Sequence, residues 1–108
     1  MSSRERVCSL DELSIGKGRE FVVDGRVVAL FRTDEGVYAI DGICPHAGGP
    51  LAQGMLRNHV VTCPWHGWQY DVRTGCHQIN SRIHVQPFSV TVDQNDVYVE
   101  ITPPEPAP

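Results

Sequence analysis

Residues 19–40 read REFVVDGRVVALFRTDEGVYAI, and this stretch sets the fold class. Two strand-like runs, 19–23 and 26–32, carry Val, Ala, Leu and Phe on either side of Asp24-Gly25, a dipeptide suited to the two-residue turn of a β-hairpin. Thr33-Asp34-Glu35-Gly36 predicts a second turn, leading into a strand over 37–40. Near the C-terminus, 89–92 and 97–101 flank Asp93-Gln94-Asn95-Asp96 in the same manner. Helical periodicity is nearly absent, with room for one turn of helix at 11–13 and another at 49–53. The expected class is all-β, with many short strands in small sheets.

The 108 residues, 41% hydrophobic and 20% charged, suit one domain over 1–102. Pro103-Pro104-Glu105-Pro106-Ala107-Pro108 predicts a disordered tail, because proline neither donates to a sheet nor continues a helix. The chain has no apolar run long enough to span a membrane, and Met1-Ser2-Ser3-Arg4-Glu5-Arg6 is too charged for a secretory signal. A cytoplasmic location is expected. A formal net charge of −4 argues against nucleic acid as a partner. The excess acid lies at the C-terminal end, where Asp93, Asp96, Glu100 and Glu105 have no Lys or Arg among them.

In a reducing compartment, four cysteines raise the question of metal-ligand spacing. Cys44-Pro45-His46 and Cys63-Pro64-Trp65-His66 each offer one thiolate and one imidazole, sixteen residues apart. A single tetrahedral zinc site usually takes its cysteines first and its histidines after them, so the order Cys, His, Cys, His fits poorly. It suits two metal atoms side by side, one held by the cysteines and one by the histidines; a mononuclear zinc site is the competing reading. Six of the ten glycines lie between 42 and 75, where the backbone needs tight turns or close approach to a group.

These residues resemble the Rieske-type [2Fe-2S] proteins, whose motif is C-x-H followed, after a spacer of this length, by C-x-x-H. The stretch Cys63-Pro64-Trp65-His66-Gly67-Trp68-Gln69-Tyr70-Asp71, with Arg73-Thr74-Gly75 after it, is similar to the family's second cluster loop and following strand. Tyr38-Ala39-Ile40-Asp41 resembles the strand entering the first loop, and the likeness runs over about 5–101. It implies a base of small antiparallel sheets with an inserted cluster-binding subdomain at about 41–76. It also implies one [2Fe-2S] cluster held by Cys44, His46, Cys63 and His66, with no catalytic residue. In such a centre two thiolates and two neutral imidazoles leave the oxidised cluster formally neutral. An electron then enters more readily than with four thiolates, and the family range is about −150 to +300 mV. The resemblance further implies that His46 and His66 bind through Nδ1 and expose Nε2, the electron's exit.

High-potential members clamp the two loops with a disulfide; the matching positions here are Gly49 and Trp65, so no clamp forms. Of the Ser and Tyr that donate hydroxyl bonds in those members, the first is replaced by Trp68 and the second is kept as Tyr70, expected to reach Cys63. The chain therefore resembles the low-potential ferredoxins. Cys8 and Cys76 lack partner spacing and read as buried free thiols, with Cys76 the more reactive if exposed. His59 reads as a strand residue, whereas His77 and His84 are weaker candidates for the cluster surface. Trp65 and Trp68 read first as packing that keeps water off the cluster, with a partner contact as the second reading.

The function so implied is one-electron transfer by a monomeric ferredoxin, from a flavoprotein reductase to a terminal oxygenase. A small subunit of a larger reductase, similar to that of assimilatory nitrite reductase, and a redox-regulatory module are the alternatives. A catalytic oxygenase subunit needs a second large domain, for which this length leaves no space.

Overall fold

The computed structural model describes residues 3–44, 48–65, 67–80 and 82–101. Within them nine strands form two sheets, and the only helical segments are single 3-10 turns at Leu10–Glu12 and Leu51–Gln53. The strands are β1 (Ser3–Ser9), β2 (Lys17–Val23), β3 (Arg26–Thr33), β4 (Gly36–Asp41), β5 (Met55–Arg57), β6 (Val60–Thr62), β7 (Gln69–Asp71), β8 (Pro87–Asp93) and β9 (Asp96–Ile101). The six-stranded sheet runs β1-β9-β8-β4-β3-β2, and the three-stranded sheet runs β5-β6-β7. The all-β expectation holds, while the tail at 103–108 lies outside the described residues.

The opening hairpin forms as its dipeptide predicts: Val23 pairs with Arg26, and Asp24 and Gly25 take φ of 51° and 76°. Two positive φ angles give the turn the right-handed twist of the flanking strands. β1 was not legible in the sequence, since Arg4, Glu5 and Arg6 are all exposed and Cys8 is the strand's one buried residue. Its strand character comes from pairing with β9, Ser3 opposite Ile101, with a bulge between Arg6 and Cys8.

β3 links the base to the rest of the molecule. Val28, Ala29, Leu30 and Phe31 are all 0% exposed, so both faces of this strand are buried. Successive side chains point to opposite faces. Val28 and Leu30 enter a core with Cys8, Leu13, Ala39, Phe88, Val97 and Val99. Ala29 and Phe31 enter a second core with Ile40, Leu51, Val61, Tyr70, Val72 and Val85, which also contains Cys44 and Cys63. The run VVALF is continuous because it serves two cores.

The chain leaves the base after β4 and returns to it at β8. Ile40 pairs with Pro87, and the Asp41 N–H donates to the Gln86 carbonyl at 2.8 Å. Everything from 42 to 86, including the three-stranded sheet, is thus tied at both ends to one place on the base.

Candidate metal centre

Cys44 and Cys63 open two loops that close by the same hydrogen bonds. The Cys44 carbonyl accepts from Gly48 N–H at 2.8 Å, and the Cys63 carbonyl accepts from Gly67 N–H at 3.0 Å. Cys44 N–H donates to the Gly49 carbonyl at 2.9 Å, and Cys63 N–H donates to the Trp68 carbonyl at 2.7 Å. Gly48 and Gly67 both have φ of 74°, a left-handed conformation that residues with a Cβ avoid. Each loop therefore needs its glycine four residues after the cysteine, a correspondence concealed in the sequence by the different placing of the two histidines.

Both cysteines are buried, 1% and 2% exposed, and all four cysteines of the chain are free thiols. The loops approach each other closely at Gly49. A Cβ there would lie 2.8 Å from Cys63 Sγ and 3.1 Å from Trp65 Cγ. The positions that would carry a covalent clamp thus do face one another, and the indole packs over bare backbone in its place. His46 and His66, the nitrogen donors expected from the sequence, lie outside the described residues.

Tyr70 approaches the site from β7. It is 0% exposed, and its hydroxyl oxygen lies 3.4 Å from Cys44 Sγ. This corrects the expectation that it reaches Cys63: the pleat of β7 aims the ring across the core toward the first loop. Burial, followed by the bond to Cys44, pushes the Tyr70 hydroxyl above its usual pKa, so the proton stays on oxygen.

His77 packs edge-on against the Trp68 and Tyr70 rings, with centroids 4.9 and 5.4 Å away. Its Nδ1 accepts from the N–H groups of Ile79 and Asn80, both at 3.1 Å, and so pins the loop after β7. This positioning role is not legible in the sequence, because a lone histidine carries no sign of the two amides that will face it.

The other candidates separate clearly. Cys76 is exposed rather than buried, because its position beside the exposed His84, its bridge partner, faces solvent. Cys8 is buried, and that burial raises its thiol pKa. His59 sits in the turn between β5 and β6, one residue ahead of the strand expected to contain it. Its Nε2 is 3.2 Å from a Glu35 carboxylate oxygen but lacks hydrogen-bond alignment, so the contact is a charge pair only when the imidazole is protonated. Trp65 is 56% exposed, which rules out a purely internal packing role, whereas Trp68 is half-buried against the core.

The sulfur pair, its glycine-only approach and the Tyr70 hydroxyl contact fit a metal–sulfide group held by two short loops. A model of the Rieske [2Fe-2S] domain matches residues 3–89. The chain belongs to the Rieske [2Fe-2S] domain family. Its cofactor is accordingly a [2Fe-2S] cluster. This Rieske domain is 32% identical over 94 residues to apoptosis-inducing factor 3 of Homo sapiens, a match covering 86% of this chain and 16% of that protein. It thus spans about a sixth of that relative's length. It is 32% identical to the ferredoxin component of the alkene monooxygenase system of Xanthobacter autotrophicus, covering 90% of this chain and 80% of that one. Among solved structures, the ferredoxin of carbazole 1,9a-dioxygenase from Nocardioides aromaticivorans superposes with a TM-score of 0.84 at 34% identity, covering 90% of this chain and 96% of that chain. No helix among the described residues is long and apolar enough to cross a membrane.

Proposed function

We propose that this Rieske domain is a one-electron carrier whose cluster is held by Cys44 and Cys63 on one iron and His46 and His66 on the other. The observation that carries the reading is the pair of equivalently closed loops, each opened by a buried cysteine, that meet at Gly49. When bound, the cluster supplies a site that accepts and releases a single electron. The chain's own residues keep that site rigid and partly dry. Trp65 covers the meeting of the loops, Tyr70 donates its hydroxyl proton toward the Cys44 sulfur, and β3 anchors the shared core from the base.

The donor in this proposal is a flavoprotein reductase and the acceptor an oxygenase. The ferredoxin components of alkene monooxygenase and carbazole dioxygenase systems support that assignment by similarity over 80% and 96% of their own lengths. A monomer in a reducing compartment such as the cytoplasm suits a mobile carrier whose Cys44 and Cys63 hold iron and whose Cys8 and Cys76 form no disulfide. Protein purified without oxygen is expected to contain about two irons and two acid-labile sulfides per chain and to give a Rieske-type paramagnetic signal on reduction. It should also be reduced by NADH through the flavoprotein reductase of a dioxygenase ferredoxin system. Stoichiometric zinc without sulfide would refute the cluster assignment, and a cluster reducible by dithionite but by no reductase would refute the carrier role.

A further inference from the structure

Two turns from distant parts of the chain meet at the end of the small sheet remote from the cysteine loops. Arg57 pairs with Val60 across the turn that holds Asn58 and His59, whereas Thr62, next to Cys63, marks the other end of β6. Facing it is the turn between β3 and β4, with Asp34 and Glu35. The two turns share a groove of about 160 Å³, lined among others by Thr33, Asp34, Glu35, Asn58 and His59. Its lining carries two carboxylates and no Lys or Arg, a setting that favours a cation.

His59 Nε2 is buried and has no hydrogen-bond partner among the described residues. Such an atom calls for a partner that the chain itself does not supply. The ring is held in place, because Tyr38 packs edge-on against it with centroids 6.0 Å apart and the His59 carbonyl accepts from Val72 N–H at 2.8 Å. The turn of Glu35 is held as well: Thr33 Oγ1 accepts from Glu35 N–H at 3.1 Å and donates to the Gly36 carbonyl at 3.2 Å. The Glu35 carboxylate oxygen stops 3.2 Å from Nε2, off the line of a hydrogen bond. Arg73 is bound to Asp71 at 2.8 Å and leaves that carboxylate to the imidazole.

Two donors on one metal ion stand at just such a spacing. Zinc holds an imidazole nitrogen at about 2.0–2.1 Å and a carboxylate oxygen at about 2.0–2.2 Å. At angles of about 90–110° the two donors then lie about 3.0–3.4 Å apart, and the ion, not the oxygen, occupies the nitrogen's lone-pair axis. No third His, Cys, Asp or Glu joins them among the described residues, so water completes the coordination. At about 30 Å³ per water the groove has room for an ion and about three waters.

We propose that Glu35 and His59 form a second metal site, separate from the cluster, for a divalent cation of the zinc class. The imidazole selects against Mg²⁺ and Ca²⁺, which take oxygen ligands. Glu35 belongs to the base and His59 to the inserted small sheet, so the ion clips the free end of that sheet to the base. The tie between Asp41 and Gln86 lies at the root of the insertion, and the clip adds a second point of attachment. The site is independent of the carrier reading.

The test titrates Zn²⁺ calorimetrically into chelator-washed, cluster-loaded Cys76→Ser protein, the exposed thiol being removed because it would bind zinc itself. One site per chain is expected, with a dissociation constant on the order of 10–100 µM. Glu35→Gln and His59→Gln should each weaken binding by about tenfold or more, with the visible spectrum and iron content unchanged. Mg²⁺ should bind at least about tenfold more weakly than Zn²⁺. Saturating zinc should raise the unfolding temperature of the parent protein and of neither variant, since an ion held only by the folded state stabilises it by mass action. The Glu35 side chain is 65% exposed, so Glu35→Gln tests the site without disturbing a core. Zinc affinity that survives both substitutions, that Mg²⁺ matches, or that is lost instead with His84→Gln overturns the proposal. Absence of a site tighter than about 1 mM overturns it as well and leaves water as the partner of Nε2.

Discussion

Replacing Tyr70 by Phe removes one oxygen from a position that is 0% exposed and leaves the ring to fill the same space. The oxygen lies 3.4 Å from Cys44 Sγ, and burial keeps it protonated, so the hydroxyl is the donor when Cys44 is an iron-bound thiolate. A donor stabilises the more negative sulfur of the reduced state more than that of the oxidised state. A buried hydrogen bond is worth about 1 kcal/mol net, with a range of about 0.5–1.5. If most of that is differential between the two redox states, one-electron chemistry at about 59 mV per tenfold converts it to about 40 mV. Tyr70→Phe should therefore lower the midpoint potential by about 20–60 mV, measured by redox titration of the visible spectrum with mediators. Because the raised hydroxyl pKa keeps the donor in place, the decrease should be the same at pH 6 and pH 9. A midpoint unchanged within about 5 mV, with the cluster fully loaded, would show that the contact does not act on the iron-bound sulfur.

Gly54→Ala should destabilise the fold by about 3 kcal/mol in denaturant titrations, since its Cβ would collide with the Thr62 carbonyl oxygen and crowd the Leu51 carbonyl. Arg73→Gln should lower stability at neutral pH and make it fall less steeply as the pH drops. The Arg73 side-chain bonds hold the Asp71 carboxyl below its usual pKa. A depressed carboxylate contributes stability that is present above its unfolded pKa of about 3.9 and is lost as pH falls through the folded value. Wild type and variant should therefore differ at neutral pH and converge once the pH has fallen through the folded-state pKa of Asp71, as followed by circular dichroism. A thiol-reactive dye applied to the cluster-loaded protein should label one cysteine rapidly, and Cys76→Ser should remove that labelling. Cys8 remains protected by burial and its raised pKa.

The strands of the first hairpin and of β8–β9 were legible because alternation and turn dipeptides are local properties of the chain. β1 was not, because its partner Ile101 stands at the far end of the sequence and most of its own side chains face water. The two cysteines were readable as a pair from spacing alone. That their loops close by identical hydrogen bonds was not, since the glycines that close them look unremarkable beside histidines offset by one residue. The tyrosine was found and its target misassigned, because a strand's alternation says which face a ring points to but not which loop has folded over that face.

By itself, then, the sequence determined the all-β class, the hairpins, the donor types and the absence of a clamp between Gly49 and Trp65. These follow from residue chemistry and local backbone preference. Tertiary structure alone decided that β3 serves two cores, that Tyr70 meets Cys44, and that Cys76 faces solvent while Cys8 does not. Each of these depends on which distant segments share a surface. That choice is made by the burial of both faces of one strand and by the return of the chain from Asp41 to Gln86 at one point on the base.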